Sequence, residues 1–128
     1  MEKIILFRGR LTGDGRWAEG FYIGGCEKEY IVSMGEKEMI PGQAHWNEIA
    51  PGTLCRYTGM KDRSGQRIWE HDIVKAYEVS SREWMTNEVV FEYGCFRLTK
   101  KEHCDALLCR YMPWQLEIIG NSFAFYNA

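Results

Sequence analysis

The sequence predicts a mainly β fold in which short strands are joined by tight turns, with at most one short helix. Aromatic residues make up 14% of the chain, and aromatic and β-branched side chains favour strands. Apolar and polar residues alternate over short runs that end in Gly, Pro, Asn or Asp, which is the pattern of half-buried strands. Only one segment has helical spacing.

Chain length and the position of Pro and Gly predict two parts. The 128 residues can form one core, or one core with a smaller appended layer. Ala50-Pro51-Gly52-Thr53 is the strongest internal boundary, because Pro and Gly together interrupt regular structure. We therefore expect an N-terminal β-rich subdomain at residues 1–50 and a second domain at residues 51–128.

The first part opens with a predicted hairpin. The strand Ile4–Leu11 leads into Gly13-Asp14-Gly15, a tight-turn sequence, after which the chain returns in a second strand. Trp17, Phe21 and Ile23 lie on one face of that second strand. Such a stripe is usually part of a core. If it is only half buried, Trp17 and Phe21 become candidates for a subunit interface.

Further strands are predicted wherever the same alternation recurs between turn residues. His45–Ile49 is short, polar and ambiguous. The polar loop Ser80–Glu83 is followed by Trp84 and Met85, an apolar pair that we expect to be exposed and to form a second candidate interface. The predicted strands are Trp17–Ile23, Tyr30–Met34, Leu54–Thr58, Asp72–Val79, Asn87–Tyr93, Cys95–Lys100 and Leu116–Asn121.

One segment, His103–Met112, has helical leanings. Leu107, Leu108 and Tyr111 are spaced so that they fall on one face of a helix, and Pro113 follows as a natural end. We expect at most about three helical turns there.

Two tight turns dominate the middle of the chain. Asp62 and Gly65 bracket the first, because an aspartate can accept hydrogen bonds from the backbone ahead of it and glycine tolerates a positive φ. The second is at Glu70-His71-Asp72 and leads into a β-branched run that begins with Ile73 and Val74.

Charge and cysteine content limit the classes of function. The net charge is −2 and the sequence pI is about 5.9, so the chain as a whole does not attract a phosphate backbone. No segment has the length of a membrane span or the pattern of a signal peptide. The five cysteines are irregularly spaced, which is typical of reduced thiols. We expect a soluble, cytoplasmic protein.

The segment Tyr57–Val74, here called the signature segment, closely resembles the signature of the YopX family of phage and prophage proteins. The similarity extends to both sides of the segment and is least diagnostic between Glu83 and Trp114. The residues that carry it in the segment are Tyr57, Thr58, Gly59, Lys61, Asp62, Gly65, Ile68, Glu70, Asp72, Ile73 and Val74. Outside the segment they are Phe7-Arg8-Gly9, Trp17, Gly20, Pro51-Gly52-Thr53 and Ile118-Ile119-Gly120-Asn121.

The resemblance implies an SH3-like small barrel in residues 51–128 and no reaction, substrate or cofactor. Two features depart from the family pattern. His71 stands where the family usually has glycine, so the turn there must accept a side chain. The tail Ser122–Tyr126 is more aromatic than the usual family ending, and it could add a strand or a packing surface.

Two candidate chemical sites are weak. Glu70, His71 and Asp72 combine carboxylates with an imidazole, but neighbouring strand residues point in opposite directions and no nucleophile is adjacent. We expect these side chains to cap the turn, and we predict no catalytic residues. A zinc site is also not expected, because the available cysteine and histidine residues lack paired spacing. These residues are Cys95, His103, Cys104 and Cys109.

A basic and aromatic set around the signature segment is the candidate for nucleic-acid binding. Cations could contact phosphates while aromatic rings stack on bases. Asp62, Glu70 and Asp72 in the same run oppose this interpretation. The candidate residues are Lys61, Arg63, Arg67, Lys75, Tyr57 and Trp69.

The function that the sequence favours is non-enzymatic. We expect a protein-interaction or assembly module that binds a second copy of itself, or a host or phage protein, through aromatic surface. A small-barrel nucleic-acid-binding protein is the alternative. No membrane association, metal or cofactor is expected.

Overall fold

The computed structural model describes residues 5–25, 27–33, 45–100 and 103–125, and within these ranges the chain is mainly β. This confirms the prediction of a mainly β fold. The ranges contain eleven strands arranged as two antiparallel sheets, with one four-residue helix, α1, at Ser122–Phe125. The strands are β1 Phe7–Arg10, β2 Trp17–Ile23, β3 Tyr30–Ser33, β4 His45–Glu48, β5 Cys55–Lys61, β6 Arg67–Trp69, β7 Asp72–Glu78, β8 Glu83–Glu92, β9 Cys95–Lys100, β10 His103–Leu107 and β11 Leu116–Asn121.

The chain divides into two compact units, Ile4–Tyr57 and a second unit that includes Thr58–Ala128. The strand orders are β4-β3-β2-β1-β5-β6 and β10-β9-β8-β7-β11, and β5 begins in the first unit and continues into the second. Pro51 and Gly52 form a turn, as their residue types predict. The domain limits 1–50 and 51–128 stay a prediction of the sequence.

In the first unit, strands β1 to β4 surround a small core. Ala18, Ile31 and Ile49 form this core, and each is at most 9% exposed. Leu11, directly after β1, forms an isolated antiparallel bridge with Ile49, directly after β4. Beside it, the Ala50 N–H donates a hydrogen bond to the Arg10 carbonyl. These contacts hold the end of β4 next to the end of β1. The four strands therefore curl around their core.

The face of β2 that packs into this core is opposite to the aromatic stripe. Ala18 and Gly20 are buried, whereas Phe21 and Ile23 are 47% and 41% exposed. Gly20 lies close to the backbone of β3, because a Cβ there would lie 2.2 Å from the Val32 carbonyl oxygen, too close for any other residue. The stripe is therefore only half buried, which is the case in which the sequence makes Trp17 and Phe21 candidates for a subunit interface.

The core of the second unit is larger and is built on β7, β8, β9 and β11. Each of its eight buried residues is at most 8% exposed. β8 and β9 form a hairpin whose turn, Tyr93-Gly94, has a positive φ at both residues, as two-residue hairpin turns require. The buried residues are Ile68, Val74, Ala76, Val89, Leu98, Leu108, Tyr111 and Leu116.

The predicted helix at His103–Met112 is wrong. Residues His103–Leu107 form strand β10, and only Leu108–Arg110 is helical, as one turn of 3-10 helix. Leu108 and Tyr111 both enter the core, and their spacing of three residues fits the 3-10 repeat as well as the α-helical one. Pro113 begins a second 3-10 turn instead of ending a helix.

Two further expectations are corrected. Trp84 and Met85 lie in strand β8 and not in a loop, so their side chains point to opposite faces of the sheet and do not form one exposed pair. The tail at Ser122–Phe125 forms α1 instead of a strand. Among the described residues, no strand pair closes either sheet into a barrel.

Asp62 fastens the first predicted turn. Its carboxylate is 4% exposed, and it accepts hydrogen bonds from the backbone N–H groups of Ser64 (2.9 Å), Gln66 (3.0 Å) and Ile118 (3.1 Å). The first two bonds close the turn, whose last corner is Gly65 at φ 82°. The third ties the turn to β11, far away in the sequence.

We predict that Asp62→Asn lowers the free energy of unfolding by about 1 to 3 kcal/mol. The amide oxygen of the variant side chain can still accept the two bonds within the turn, but its NH₂ group then faces the N–H of Ile118, and two donors repel. Urea denaturation measures the change. Asp14→Asn is the matched control, because Asp14 is an exposed aspartate in a hairpin turn paired with Arg16. Equal stability of both variants would contradict the prediction.

Candidate interaction surface

Four side chains from separate segments of the second unit meet on one surface, here called the aromatic surface. Tyr77 comes from β7 and Trp84 from β8, and the two residues are directly opposite each other in the strand pairing. Trp114 comes from the second 3-10 turn. Arg63 comes from the turn that Asp62 fastens.

The rings of the aromatic surface contact each other in a row. The ring centroid of Tyr77 lies 5.3 Å from that of Trp84 and 5.7 Å from that of Trp114, and both pairs are tilted. The Arg63 guanidinium lies 5.6 Å from the centroid of the Trp84 ring, within the range of a cation–π contact. Trp84 is 40% exposed and Trp114 54% exposed, so both present ring area to solvent.

Charges near the aromatic surface are mixed. Lys75 is exposed and lies on the same face of β7 as Tyr77, two residues earlier. Its partner on β11 is Glu117, and cross-strand partners lie on the same face. The surface therefore offers apolar area with a cation at Arg63, and not a continuous positive field.

The second unit also contains a cavity of about 270 Å³. Two of its lining residues, Glu78 and Gln115, directly follow Tyr77 and Trp114 in the sequence. Its lining includes Glu78, Arg110, Tyr111 and Gln115. The Tyr111 hydroxyl donates a hydrogen bond to the Glu78 carboxylate, and the Gln115 side chain donates to the Tyr77 carbonyl. Burial, and then the bond to Glu78, raises the pKa of Tyr111 to about 12.

The predicted nucleic-acid set does not form one surface of stacking rings and cations. Tyr57 is 6% and Trp69 is 3% exposed, so neither ring is accessible for stacking on a base. Lys61 and Arg63 are exposed, whereas Arg67 is half-buried. Arg63 instead joins Trp84, which the sequence assigns to a different candidate site.

The second predicted turn places His71 between two carboxylates. His71 has a φ of 73°, the left-handed geometry that the usual family glycine adopts without strain. Its ring lies 3.0 Å from Glu88 and 3.9 Å from Glu70, and packs edge-on against Phe123 of α1. The aromatic tail therefore serves as a packing surface.

Asp72 does not join His71 and Glu70 in a cluster. It is 2% exposed and accepts a hydrogen bond from the backbone N–H of Trp69 at 2.8 Å. This is the turn-capping role that the sequence predicts. The imidazole instead contacts Glu88, a β8 residue that sequence adjacency could not identify.

The candidate interface residues of the first unit lie on the open face of β2. The Trp17 ring is covered by two guanidinium groups, with Arg8 at 4.3 Å and Arg10 at 5.1 Å from the ring centroid. Phe21 is exposed. On β4, Trp46 is 60% exposed and contacts Tyr30 edge-on.

The described residues contain neither a cluster of metal ligands nor a helix that could span a membrane. Within the described ranges, no three His, Cys, Asp or Glu side chains converge as metal ligands. The same part of the chain contains no helix with the length and hydropathy of a membrane span. Cys55, Cys95 and Cys109 are thiols that form no disulfide, while Cys26 and the side chains of His103 and Cys104 lie outside what the structure describes.

Sequence reasoning did not single out Trp114, and it did not group Tyr77 with Trp84. Tyr77 belongs to a predicted core strand, and its position opposite Trp84 depends on the register of β7 and β8. Trp114 directly follows Pro113, which interrupts regular structure. A large apolar residue at such a position is the one local signal that could have singled it out.

The fold and the surface define an all-β protein of two compact units with an exposed aromatic surface on the second. The chain belongs to the YopX family: the family model described as YopX protein matches residues 13–124. No curated protein sequence matches the chain significantly.

We predict that His71→Gly is more stable than His71→Ala by about 1 kcal/mol. Both variants lose the contacts of the imidazole, but only glycine adopts the positive φ without strain. Urea denaturation of the two variants measures the difference. Lys75→Gly and Lys75→Ala are the control pair at an extended, exposed position, where glycine should be the less stable. A glycine variant at position 71 no more stable than the alanine variant would contradict this explanation.

We predict that Tyr111 makes stability fall as pH rises from about 10 to about 12. The folded state holds the hydroxyl proton more tightly than the unfolded chain, so Tyr111 stabilises the fold below about pH 10 and loses this contribution above it. The loss is about 2 kcal/mol once partial screening by solvent is allowed for. Urea denaturation at about pH 9 and about pH 11.5 measures the slope. Tyr111→Phe should have a shallower slope than wild type, and identical slopes would refute the assignment.

Proposed function

We propose that this YopX-family chain is a non-enzymatic protein-interaction module that binds its partner through the aromatic surface. The observation that carries the proposal is the grouping of Arg63, Tyr77, Trp84 and Trp114. Trp, Tyr and Arg are the residue types that dominate binding energy at protein interfaces. Two exposed indole rings packed against one tyrosine also form a contiguous apolar patch. Such patches on a protein surface are typical of interaction sites, because covering them removes apolar area from water.

The setting and architecture belong to the same proposal. Family membership supports a phage or prophage protein that acts in the cytoplasm. An SH3-like small barrel is the architecture we propose for the second unit. It is supported by two bonds from the Asp62 turn to β11, one from the Arg63 N–H to the Leu116 carbonyl and one from the Ile118 N–H to the Asp62 carboxylate.

Single-stranded nucleic acid is the second candidate partner. One observation favours it, since Arg63 and the exposed Lys75 flank rings on which bases could stack. The mixed charge argues against it, because Glu117 is the strand partner of Lys75 and the chain carries a net charge of −2. Backbone binding needs several cations in a row.

The test is size-exclusion chromatography with light scattering at low and high salt, together with capture of proteins from a host lysate. We expect the wild type to form a discrete oligomer or to retain a protein partner, with no absorbance from nucleic acid. Trp84→Ala combined with Trp114→Ala should weaken that association at least about tenfold, the effect of losing one or two interface anchors.

Trp46→Ala is the matched control, since it removes an exposed indole from the first unit. It should leave the association unchanged. A protein that stays monomeric at high concentration and captures nothing would refute the proposal. A monomer that carries nucleic acid, released by high salt, would favour the second candidate.

A further inference from the structure

We infer that the aromatic surface binds a peptide segment in which an Asp or Glu carboxylate is next to a large apolar side chain. The inference rests on the proposed function and specifies the chemistry of the partner. Arg63 receives the carboxylate, and the exposed rings of Trp84 and Trp114 receive the apolar side chain.

Arg63 is held in place before any partner arrives. Its backbone N–H donates to the Leu116 carbonyl at 2.9 Å, in a turn that the Asp62 carboxylate closes. Its guanidinium then lies over the Trp84 ring. Fixing a long side chain in advance reduces the entropy that binding would otherwise cost.

The guanidinium near the Trp84 ring favours a carboxylate. An arginine side chain has five N–H donors along the edges of its plane, and the cation–π contact with Trp84 does not require all of them. Two parallel N–H groups at such an edge match the two oxygens of a carboxylate. Arg63 is exposed, so a partner can reach these donors.

The rings beside Arg63 provide the apolar half of the site. Neither Trp84 nor Trp114 stacks face to face with Tyr77, because the interplanar angles are 56° and 46°. Tilted rings leave gaps that a Leu, Phe or Pro side chain can enter.

Charge complementarity favours one carboxylate over a chain of phosphates. The next cation on the same face, Lys75, has Glu117 as its strand partner. A single arginine can pair with a single carboxylate, whereas a nucleic-acid backbone that passed Lys75 would also approach Glu117. The observations therefore favour an acidic and apolar protein segment.

A random-peptide display library, selected against the immobilised full chain, is the probe. We expect the enriched peptides to share an Asp or Glu at a fixed distance from a large apolar residue. The consensus peptide, synthesised and measured by fluorescence anisotropy, should bind Arg63→Glu at least about tenfold more weakly than wild type. A library selected against Arg63→Glu should enrich Lys or Arg instead.

Arg16→Glu provides the matched control, because it makes the same charge change at an exposed arginine of the first unit. It should bind the consensus peptide like the wild type. Enriched peptides without an acidic residue, unchanged binding to Arg63→Glu, or no enriched peptide at all would each overturn the inference.

The same experiment separates failure of the inference from failure of the proposed function. If selected peptides lack a carboxylate but lose binding to the Trp84→Ala, Trp114→Ala protein, the surface binds protein and only the partner chemistry is wrong. If a fluorescent oligothymidine binds and no peptide does, both the inference and the proposed function are wrong.

Discussion

The Asp62 carboxylate joins two parts of the second unit whose bonded residues are 56 positions apart in the sequence. Burying a carboxylate is unfavourable unless hydrogen-bond donors surround it, and three backbone N–H groups do so here. The same bonds place the turn against β11, where the Arg63 N–H reaches the Leu116 carbonyl. One buried aspartate therefore determines where the Arg63 side chain emerges, and with it one end of the aromatic surface.

The features that sequence could predict are those determined by neighbouring residues. The Asp62 and Gly65 turn follows from a side-chain acceptor and a positive φ within four positions. Strands β2 and β11 follow from alternation between turn residues, and their predicted limits match the structure. The left-handed backbone geometry at His71 could also be predicted, because the resemblance implies a glycine at this position. The φ of 73° confirms that geometry.

The features that sequence could not predict depend on which face of an element meets the core. On β2, both faces carry apolar residues, and only packing against the rest of the first unit places Ala18 in the core while Phe21 and Ile23 stay exposed. Near Leu108, apolar residues three apart fit an α-helix and a 3-10 turn equally well. For Trp84, a shift of the strand start by a few residues converts a loop residue into a surface residue opposite Tyr77.

Most side chains of the signature segment stabilise the fold of the second unit, and Arg63 is the member of the segment that belongs to the aromatic surface. The Thr58 hydroxyl donates to the Ile68 carbonyl, Asp62 and Asp72 accept backbone N–H groups, and Tyr57 is buried. These side chains stabilise the fold through hydrogen bonds or burial. Trp84 and Trp114, by contrast, lie in the part of the chain where resemblance to the family is weakest. In this chain, the residues that build the fold are therefore largely not those that form the aromatic surface.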